Sequence, residues 1–414
     1  MAASSPPSRN APGPVPPIAR FPEEWVAEVA RLGGRSFHGK QVFKWIQARG
    51  VTDAKLMTDL PADLRDKLVA EGLSSVLDVV SERRATDDTR KLLVGMKDGA
   101  NVETVLIPRV TGGRSSLPSP LAGGAGSGDE TRTFEDADAA AAVDDEDEQE
   151  EERAKGDEGS IPVTQCISTQ VGCAMGCVFC ASGVAGLKRH MRPDEIVAQV
   201  LVGKAKLDPN ERLSNVVLMG MGEPLHNYES TLRALRLLTH RDGINLSKRK
   251  ITVSTSGLVP EIARLGEDFQ GQIGLAISLH AADDETRSRL MPINKKYPLQ
   301  VLMQALRDYP LPHRRRITIE YTLVAGKNDA PDEARKLVKL LRGLSVKVNL
   351  IPMNPIEAST LGPPNLTGVL AFQRILVDAG YPCFIRRRRG DDVSAACGQL
   401  ALLGAKPKVR VNRS

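Results

Sequence analysis

Residues 166 to 180 of the chain read CISTQVGCAMGCVFC. This stretch holds four of the six cysteines, and among them Cys173, Cys177 and Cys180 are spaced C-x3-C-x2-C. Three thiolates on one tight loop can hold three corners of a cubane iron-sulfur cluster and leave the fourth iron without a protein ligand. Clusters that only transfer electrons use four cysteines, so a set of three indicates that chemistry also takes place at the metal.

A structural zinc site is the alternative interpretation of these cysteines. Such a site needs four protein ligands, and Cys166 or His190 would complete the set. The spacing is compatible with either metal, so both interpretations stay open at this point.

Length and composition restrict the class of protein. The chain has 414 residues, which gives room for roughly two or three domains. Four cysteines bunched within fifteen positions would staple only one loop, so they indicate metal or redox chemistry in a reducing compartment. The sequence contains neither a run of about eighteen apolar residues nor a secretory signal. We therefore expect a soluble protein of the cytoplasm.

Charge is distributed unevenly along the chain. The net charge is +5, but residues 129–158 alone hold fifteen acidic and three basic residues. The remainder has 53 basic and 36 acidic residues, a net charge of +17. This balance is typical of proteins that bind polyanions such as nucleic acid, although surface lysines that only maintain solubility are the alternative explanation.

Two regions are predicted at the start of the chain. Residues 1–20 are rich in Ser and Pro and are expected to form a disordered tail. Residues 21–74 carry apolar positions at helical spacing and predict a small helical accessory domain, which its basic residues would make an RNA-binding one. Its Lys40, Lys44 and Arg49 would contact phosphates, or would only solvate an outer face.

Two further regions precede the cysteine stretch. Residues 75–109 predict linking strands, with Asp98-Gly99 as a hairpin turn between two of them. Residues 110–160 are low in complexity, and like charges at this density cannot bury an apolar face. This segment is expected to be a disordered acidic insertion, either inert or an electrostatic competitor for the RNA site.

Residues 161–390 show a regular alternation of strand and helix signals. The predicted strands are 162–168, 215–219, 250–253, 273–278, 316–323 and 346–352, and the predicted helices are 193–206, 228–239, 259–265, 299–306 and 332–341. Six strands joined by helical crossovers predict an α/β fold, namely a partial (β/α)6 barrel of the TIM type. Residues 391–414 then form a C-terminal segment.

Polar motifs follow these strands at their carboxyl ends. They are the cysteine loop, Gly220 to Pro224, Ser254 to Gly257, Ser278-Leu279-His280 and Asn354. Function collects at the carboxyl ends of strands in such folds, so we expect all five segments around one mouth. Taken singly, each of these motifs is weak.

Together, the motifs resemble the radical S-adenosylmethionine (SAM) superfamily. Longer stretches are similar to the RlmN family of RNA adenine-C2 methyltransferases, and the resemblance covers nearly everything except the first twenty residues and the acidic insertion. These stretches are Phe43 to Ile46, Glu103-Thr104, Cys166 to Cys180, Met219 to Pro224, Ile351 to Pro355 and Arg389 to Leu400. The box Ala395 to Leu400 distinguishes this family from other radical enzymes.

The resemblance implies two cofactors. Cys173, Cys177 and Cys180 would bind one [4Fe-4S] cluster, whose open iron is chelated by the methionine moiety of SAM. Two SAM molecules would be used in each turnover. The residues implied around SAM are Gly222, Glu223, Ser254, Ser278, Leu279, His280 and Asn354.

The resemblance also implies a reaction. Carbon 2 of adenine is electrophilic, so transfer of a methyl cation to it is disfavoured and a carbon radical is used instead. Cys397 would take a methyl group from one SAM, and the radical derived from a second SAM would convert that group into a methylene radical that attacks carbon 2. Glu103 would be the proton acceptor, and Cys166 would release the product through a transient disulfide with Cys397. Cys383 matches nothing catalytic and is expected to be a core thiol.

One departure from the family pattern concerns two of these residues. The acidic insertion separates Glu103 from Cys166 in the sequence, which leaves their mutual placement open. If the insertion is disordered, its ends can still meet at a modest cost in loop entropy.

The implied partners are 23S rRNA in its peptidyl-transferase region, tRNA at the adenosine 3' of the anticodon, and an electron donor such as flavodoxin, with the protein a monomer. Basic clusters would contact phosphates, and they are Lys248 to Lys250, Arg314 to Arg316, Arg386 to Arg389, and Lys406, Lys408 and Arg410. Two alternatives are a C8-specific rRNA adenosine methyltransferase of the Cfr type and a zinc-stabilised RNA-binding module without catalysis.

Overall fold

The computed structural model describes residues 15–109, 159–356, 359–386, 389–396 and 398–400. The disorder expected for residues 1–14 and 110–158 therefore concerns positions outside the described residues. So do Cys397 and the basic residues 406, 408 and 410.

Three helices precede the sheet, α1 (Pro22–Arg31), α2 (Ser36–Gln47) and α3 (Ala62–Ala70). Proline suits the first turn of α1 because its φ is already fixed near the helical value. The Glu24 carboxylate accepts a hydrogen bond from the Phe21 N–H at 2.7 Å, which satisfies one of the free donors at this end. The helices bury apolar stripes that include Trp25 and Phe43.

The segment just before α1 differs from the expected disordered tail over residues 1–20. Pro17–Ala19 form a 3-10 helix, and Ile18 and Ala19 are buried. The Ile18 carbonyl accepts a hydrogen bond from Gln47 Nε2 at 2.6 Å, and the Ala19 carbonyl accepts one from Arg233 Nε at 2.8 Å. The two donors lie in different parts of the molecule, Gln47 in α2 and Arg233 in the helix Tyr228–Leu238. The segment is therefore fixed between the N-terminal helices and the core.

One ten-stranded sheet forms the centre of the molecule. Its order is β1 (Leu77–Arg84), β2 (Arg90–Met96), β3 (Asn101–Pro108), β4 (Ile161–Cys166), β7 (Glu211–Leu218), β8 (Ile251–Thr255), β9 (Gly274–Ser278), β10 (Ile317–Leu323), β11 (Val346–Pro352) and β12 (Cys383–Ile385). Strand β4 and strands β7 to β12 pair in parallel, which confirms the predicted α/β fold. Among the described residues the edge strands β1 and β12 each have one neighbour, so the barrel is partial.

The strands from residues 75–109 belong to this sheet rather than only leading to it. β1, β2 and β3 pair antiparallel in turn, and β3 pairs antiparallel with β4 so that Val105 lies opposite Cys166 and Pro108 opposite Val163. The Arg109 N–H donates to the Pro162 carbonyl at 2.8 Å just beyond the last pair. Residues 110–158 therefore connect two neighbouring strands at the point where these lie side by side.

Helices connect the parallel strands. They are α4 (Ala181–Ala185), α5 (Pro193–Ala205), α6 (Tyr228–Leu238), α7 (Val259–Phe269), α8 (Asp284–Leu290), α9 (Leu299–Asp308), α10 (Pro331–Leu340) and α11 (Leu366–Asp378). A separate two-stranded ribbon, β5 (Gln170–Val171) with β6 (Arg189–His190), flanks the cysteine loop. In the part of the chain that the structure describes, no helix is both long enough and apolar enough to cross a membrane.

β10 shows how the sheet separates its two faces. Every residue of this strand is buried, yet its side chains alternate between apolar and polar. Tyr321 packs against Phe372 of α11 with ring centroids 5.3 Å apart, so its face of the strand meets the helices. Glu320 and Thr322 point to the opposite face because side chains alternate along a strand, and both line the interior cavity.

Candidate active site

A cavity of about 160 Å³ lies at the carboxyl ends of the parallel strands. It is lined by Cys173, Cys177, Cys180, Gly222, Glu223, Ser254, Ser278, His280 and Asn354, together with residues that include Ser256, Arg386 and Gly398. All but one of the implied metal and SAM residues thus meet in one cavity. The exception is Leu279, which lies between two lining residues while its own N–H donates to the Glu320 carbonyl at 3.0 Å.

The three cysteines of the spaced motif lie between β5 and α4. Burial raises the pKa of Cys173 to about 12, and it also raises the pKa values of Cys177 and Cys180. The negative charge of each neighbouring thiolate raises the pKa of Cys177 further, because the three sulfurs lie close enough to interact. Such thiols become thiolates only beside a bound cation, which fits a metal-cluster ligand.

The Gly222-Glu223 turn places a buried carboxylate in the cavity wall. Glu223 Oε1 accepts a hydrogen bond from the Leu225 N–H at 3.1 Å. Its Oε2 accepts two from Ser256, at 2.7 Å from the backbone N–H and 2.8 Å from the hydroxyl. Burial raises the pKa of Glu223, while these bonds act in the opposite direction because they favour the charged form.

Gln170 packs against the Gly222-Glu223 turn and accepts a hydrogen bond from it. Its Oε1 accepts a hydrogen bond from the Glu223 N–H at 2.8 Å. Gly222 has φ +107°, and a Cβ added there would lie 2.6 Å from the Gln170 Cβ. Both the backbone conformation and the close approach of Gln170 therefore require glycine at this position.

His280 is buried in the cavity wall, and its ring lies 4.8 Å from that of Phe179 in the cysteine loop. Its Nδ1 accepts a hydrogen bond from the Thr322 N–H at 2.8 Å, so the proton of the neutral ring is on Nε2. Burial, together with the smaller effect of the charge of Arg287, lowers the pKa of His280 to about 3. His280 is therefore a neutral hydrogen-bond donor at physiological pH.

Replacing His280 with asparagine should make the protein more resistant to acid. Between the folded pKa of about 3 and the ordinary value of 6.5, the unfolded state binds the proton that the folded state excludes. The free energy of unfolding therefore falls, as pH decreases through this range, by up to about 1.4 kcal/mol per pH unit. Asparagine does not titrate, tolerates the φ of 56° at this position, and can accept the Thr322 N–H.

The midpoint pH of acid unfolding, followed by circular dichroism, tests this expectation. The His280→Asn midpoint should lie below that of the wild type. His313 is exposed, so His313→Asn serves as the control and should not move it. Identical midpoints for His280→Asn and wild type would contradict the interpretation that His280 stays neutral in the folded protein.

Glu103 and Cys166 lie on adjacent strands. Val105 is opposite Cys166, and Glu103 is two residues from Val105, so the side chains of Glu103 and Cys166 project from the same face of the sheet. Glu103 Oε1 pairs with Lys91 Nζ at 3.0 Å, and Lys91 Nζ also donates to the Ser394 carbonyl at 3.1 Å. Glu103 and Cys166 are therefore neighbours on the sheet, although the insertion separates them in the sequence.

Comparisons with known proteins identify the family. The Radical SAM superfamily matches residues 167–341, and the ribosomal RNA large subunit methyltransferase N-terminal domain matches residues 23–72. A protein of Sorangium cellulosum, "Dual-specificity RNA methyltransferase RlmN", is 66% identical over 96% of this chain and 98% of that protein. Its namesake in Syntrophobacter fumaroxidans is 41% identical over 91% of this chain and 94% of that protein. The chain belongs to the RlmN family.

A solved structure agrees with this assignment to the RlmN family. The crystal structure of a radical SAM methyltransferase from Sphaerobacter thermophilus is 37% identical and has a TM-score of 0.78. The match covers 94% of this chain and 99% of that protein. The radical SAM fold is therefore shared along almost the whole chain.

Membership in the RlmN family implies a [4Fe-4S] cluster and SAM, and favours the cluster over the zinc site that the spacing left open. Within the described ranges, no three His, Cys, Asp or Glu side chains are grouped to hold one metal ion. A cubane cluster is larger than one ion, and its cysteine sulfurs are spaced more widely. The buried, mutually interacting thiols of the cysteine loop fit such a cluster.

The segment that carries the methyl-carrier cysteine of the RlmN family is described on both sides of residue 397. The Gly398 carbonyl accepts a hydrogen bond from the Ala181 N–H at 2.9 Å, and Gly398 lines the cavity. The Leu400 carbonyl accepts one from Ser182 Oγ at 2.6 Å. The role of Cys397 stays a prediction, because that residue is outside the described ranges.

Proposed function

We propose that this chain is a radical SAM methyltransferase that methylates carbon 2 of adenosine in 23S rRNA and in tRNA. The observation that carries the proposal is the convergence of the three cysteines and the Gly222-Glu223 turn on one cavity, in a chain 66% identical to a dual-specificity RNA methyltransferase. The RlmN name of the relatives favours carbon 2 over carbon 8. Cytoplasmic location, a monomeric state and a flavodoxin-type electron donor belong to the same proposal.

Cys173, Cys177 and Cys180 would hold the [4Fe-4S] cluster, which together with SAM supplies a carbon radical when both are bound. Glu223 binds the amino group of SAM, because its buried carboxylate is fixed by Ser256 and Leu225 and has no ion-pair partner among the described residues. Binding that ammonium group offsets the cost of burying the carboxylate. His280 donates from Nε2, and Ser254, Ser278 and Asn354 contribute polar groups around the ribose and carboxylate.

Three residues handle the base itself. Cys397 would carry the methyl group, Glu103 would accept the proton lost from carbon 2, and the unpaired electron left on the adduct would return to the cluster. The Cys166 thiolate then attacks the Cys397 sulfur, so that an S–S bond forms and the bond between sulfur and the methylene carbon breaks. The carbon keeps the electron pair and takes a proton, which completes the new methyl group.

RNA would be held by basic residues around the cavity and on the helical region. Lys40, Lys44 and Arg49 are exposed on or just after α2, with Arg49 stacked 4.0 Å from the Trp45 ring. Arg386 lines the cavity, and its Nη1 lies 3.9 Å from Glu320 Oε2. These groups would position the phosphates while one adenosine leaves its stack.

Product analysis tests the proposed function. Anaerobically reconstituted protein is incubated with methyl-labelled SAM, a strong reductant, and either a 23S rRNA fragment or tRNA, and the digested nucleosides are separated. We expect label in 2-methyladenosine from both RNAs. Label in 8-methyladenosine would assign the chain to the Cfr type, and a colourless protein that only binds RNA would overturn the proposal.

Replacing Gly222 with alanine should weaken SAM binding by about tenfold or more, which corresponds to about 1.4 kcal/mol. The added Cβ would displace Gln170 and with it the Glu223 backbone. Gly326 also has a positive φ, +66°, but open space around it, so Gly326→Ala introduces the smaller strain of a left-handed residue without a clash. Equilibrium dialysis with labelled SAM compares the two variants. Equal affinities in both would contradict the role of the turn.

A further inference from the structure

Arg287 of α8 is a buried cation that forms no ion pair among the described residues, although Asp284, one turn earlier on the helix, interacts with it at longer range. Its side chain is fully buried, and its guanidinium donates only to neutral groups. These are Leu279 O at 3.0 Å, Asn294 Oδ1 at 2.9 Å, Ser256 O at 2.7 Å and Ser278 O at 3.3 Å. In the part of the chain that the structure describes, no carboxylate oxygen lies within ion-pair distance of it. An isolated buried charge is costly, so a charge partner is expected.

A second buried arginine, Arg90, shows how a buried cation is usually paired with carboxylates. Arg90 in β2 is also almost fully buried, but it forms ion pairs with Glu211 and Asp208. Both arginines are buried to the same degree. They differ because Arg90 forms ion pairs and Arg287, among the described residues, forms none.

The hydrogen bonds of Arg287 lead directly to the proposed SAM site. Its Nη2 donates to the Ser256 carbonyl, and Ser256 in turn donates twice to the Glu223 carboxylate. Through Leu279 and Ser278, the same guanidinium also holds the loop after β9. One side chain thus fixes two of the loops that form the cavity wall.

Arg287 also lies close to the cysteine loop. The Leu290 carbonyl at the end of α8 accepts a hydrogen bond from the Val178 N–H at 3.1 Å. The Arg287 carbonyl accepts a hydrogen bond from the Met291 N–H at 2.7 Å, and Met291 lines the cavity together with Cys177. A cluster held by three thiolates carries a net negative charge, which would supply the missing anion.

We propose that Arg287 is a positioning residue of the cluster site, whose buried charge offsets that of the thiolate-bound cluster and whose hydrogen bonds fix Ser256 and Glu223. The charge favours the reduced cluster because reduction adds an electron near a cation. The hydrogen bonds favour SAM binding because they hold the carboxylate that receives its amino group. This inference rests on the proposed function in requiring that the chain binds the cluster and that Glu223 receives the amino group of SAM.

Two variants separate charge from geometry. Arg287→Met removes both, whereas Arg287→Lys keeps the charge but cannot reproduce the planar set of donors. Each protein is reconstituted anaerobically, its midpoint potential is measured by a redox titration followed by electron paramagnetic resonance, and its SAM affinity is measured by equilibrium dialysis. We expect a more negative midpoint potential in Arg287→Met and a nearly unchanged one in Arg287→Lys. SAM affinity should fall about tenfold in both.

Arg90→Met is the matched control, because it also removes a buried arginine but at the far end of the strands. It should alter neither the potential nor the SAM affinity. Should Arg287→Met not assemble a cluster, Arg287→Gln takes its place with the same expected shift in potential. A wild type without a cluster would overturn the proposed function, whereas a clustered wild type with unchanged potential and SAM affinity in the Arg287 variants would overturn this inference alone.

Discussion

Replacing Cys173 with alanine should give a colourless protein whose methylation of RNA falls to background. Two thiols cannot hold the cluster in the open arrangement that leaves one iron for SAM. The fold itself should persist, because the core of the sheet does not depend on this loop. Iron content, the visible absorbance of the cluster and transfer of labelled methyl to RNA measure the loss.

Cys383→Ala is the matched control for this substitution. Cys383 is buried in β12, and burial raises the pKa of its thiol, so it is also a protonated interior cysteine. The bond from Gln373 Nε2 goes to its backbone carbonyl and survives the change. We expect full iron and activity, with a loss of about 1 kcal/mol in the free energy of unfolding. Full iron content in Cys173→Ala would contradict the assignment of the cluster ligand.

The variants Cys397→Ala and Cys166→Ala should both abolish product release but fail at different steps. Without Cys397 no methyl group reaches the base, so no protein–RNA adduct forms. Without Cys166 the adduct forms and accumulates, because nothing attacks the sulfur that joins protein to base. Glu103 and Cys166 project from the same face of adjacent strands, and Gly398, the neighbour of residue 397, lines the cavity.

A denaturing gel with labelled RNA distinguishes the two variants. The Cys166→Ala lane should show slowly migrating RNA that disappears on proteolysis, and the Cys397→Ala lane should show free RNA alone. The double variant is the control and should behave as Cys397→Ala does. An adduct in the double variant would mean that another residue carries the methyl group.

The parallel strands could be predicted because apolar runs separated by helical patterns are local signals. The bounds of β1 could not be predicted because only Leu77 in it is buried, so the strand shows no alternation of apolar and polar residues. The strand β12 could not be predicted because its three residues are too few to form a pattern. The lining residues could likewise be inferred from polar motifs at strand ends. Their supports could not, because Ser256 reaches Glu223 across 33 residues and Gln170 reaches it across 53. Contacts at such separations leave no periodic trace in a sequence.

The antiparallel pairing of β3 with β4 has a consequence for how this enzyme can vary. The strand that carries Glu103 ends beside the start of the strand that carries Cys166, so the register of the two is set by the sheet and not by the length of the connection. Each doubling of a flexible connection costs only about 0.6 kcal/mol. Additional domains, affinity tags or a bare turn should therefore be exchangeable at this junction while the distance between Glu103 and Cys166 stays the same.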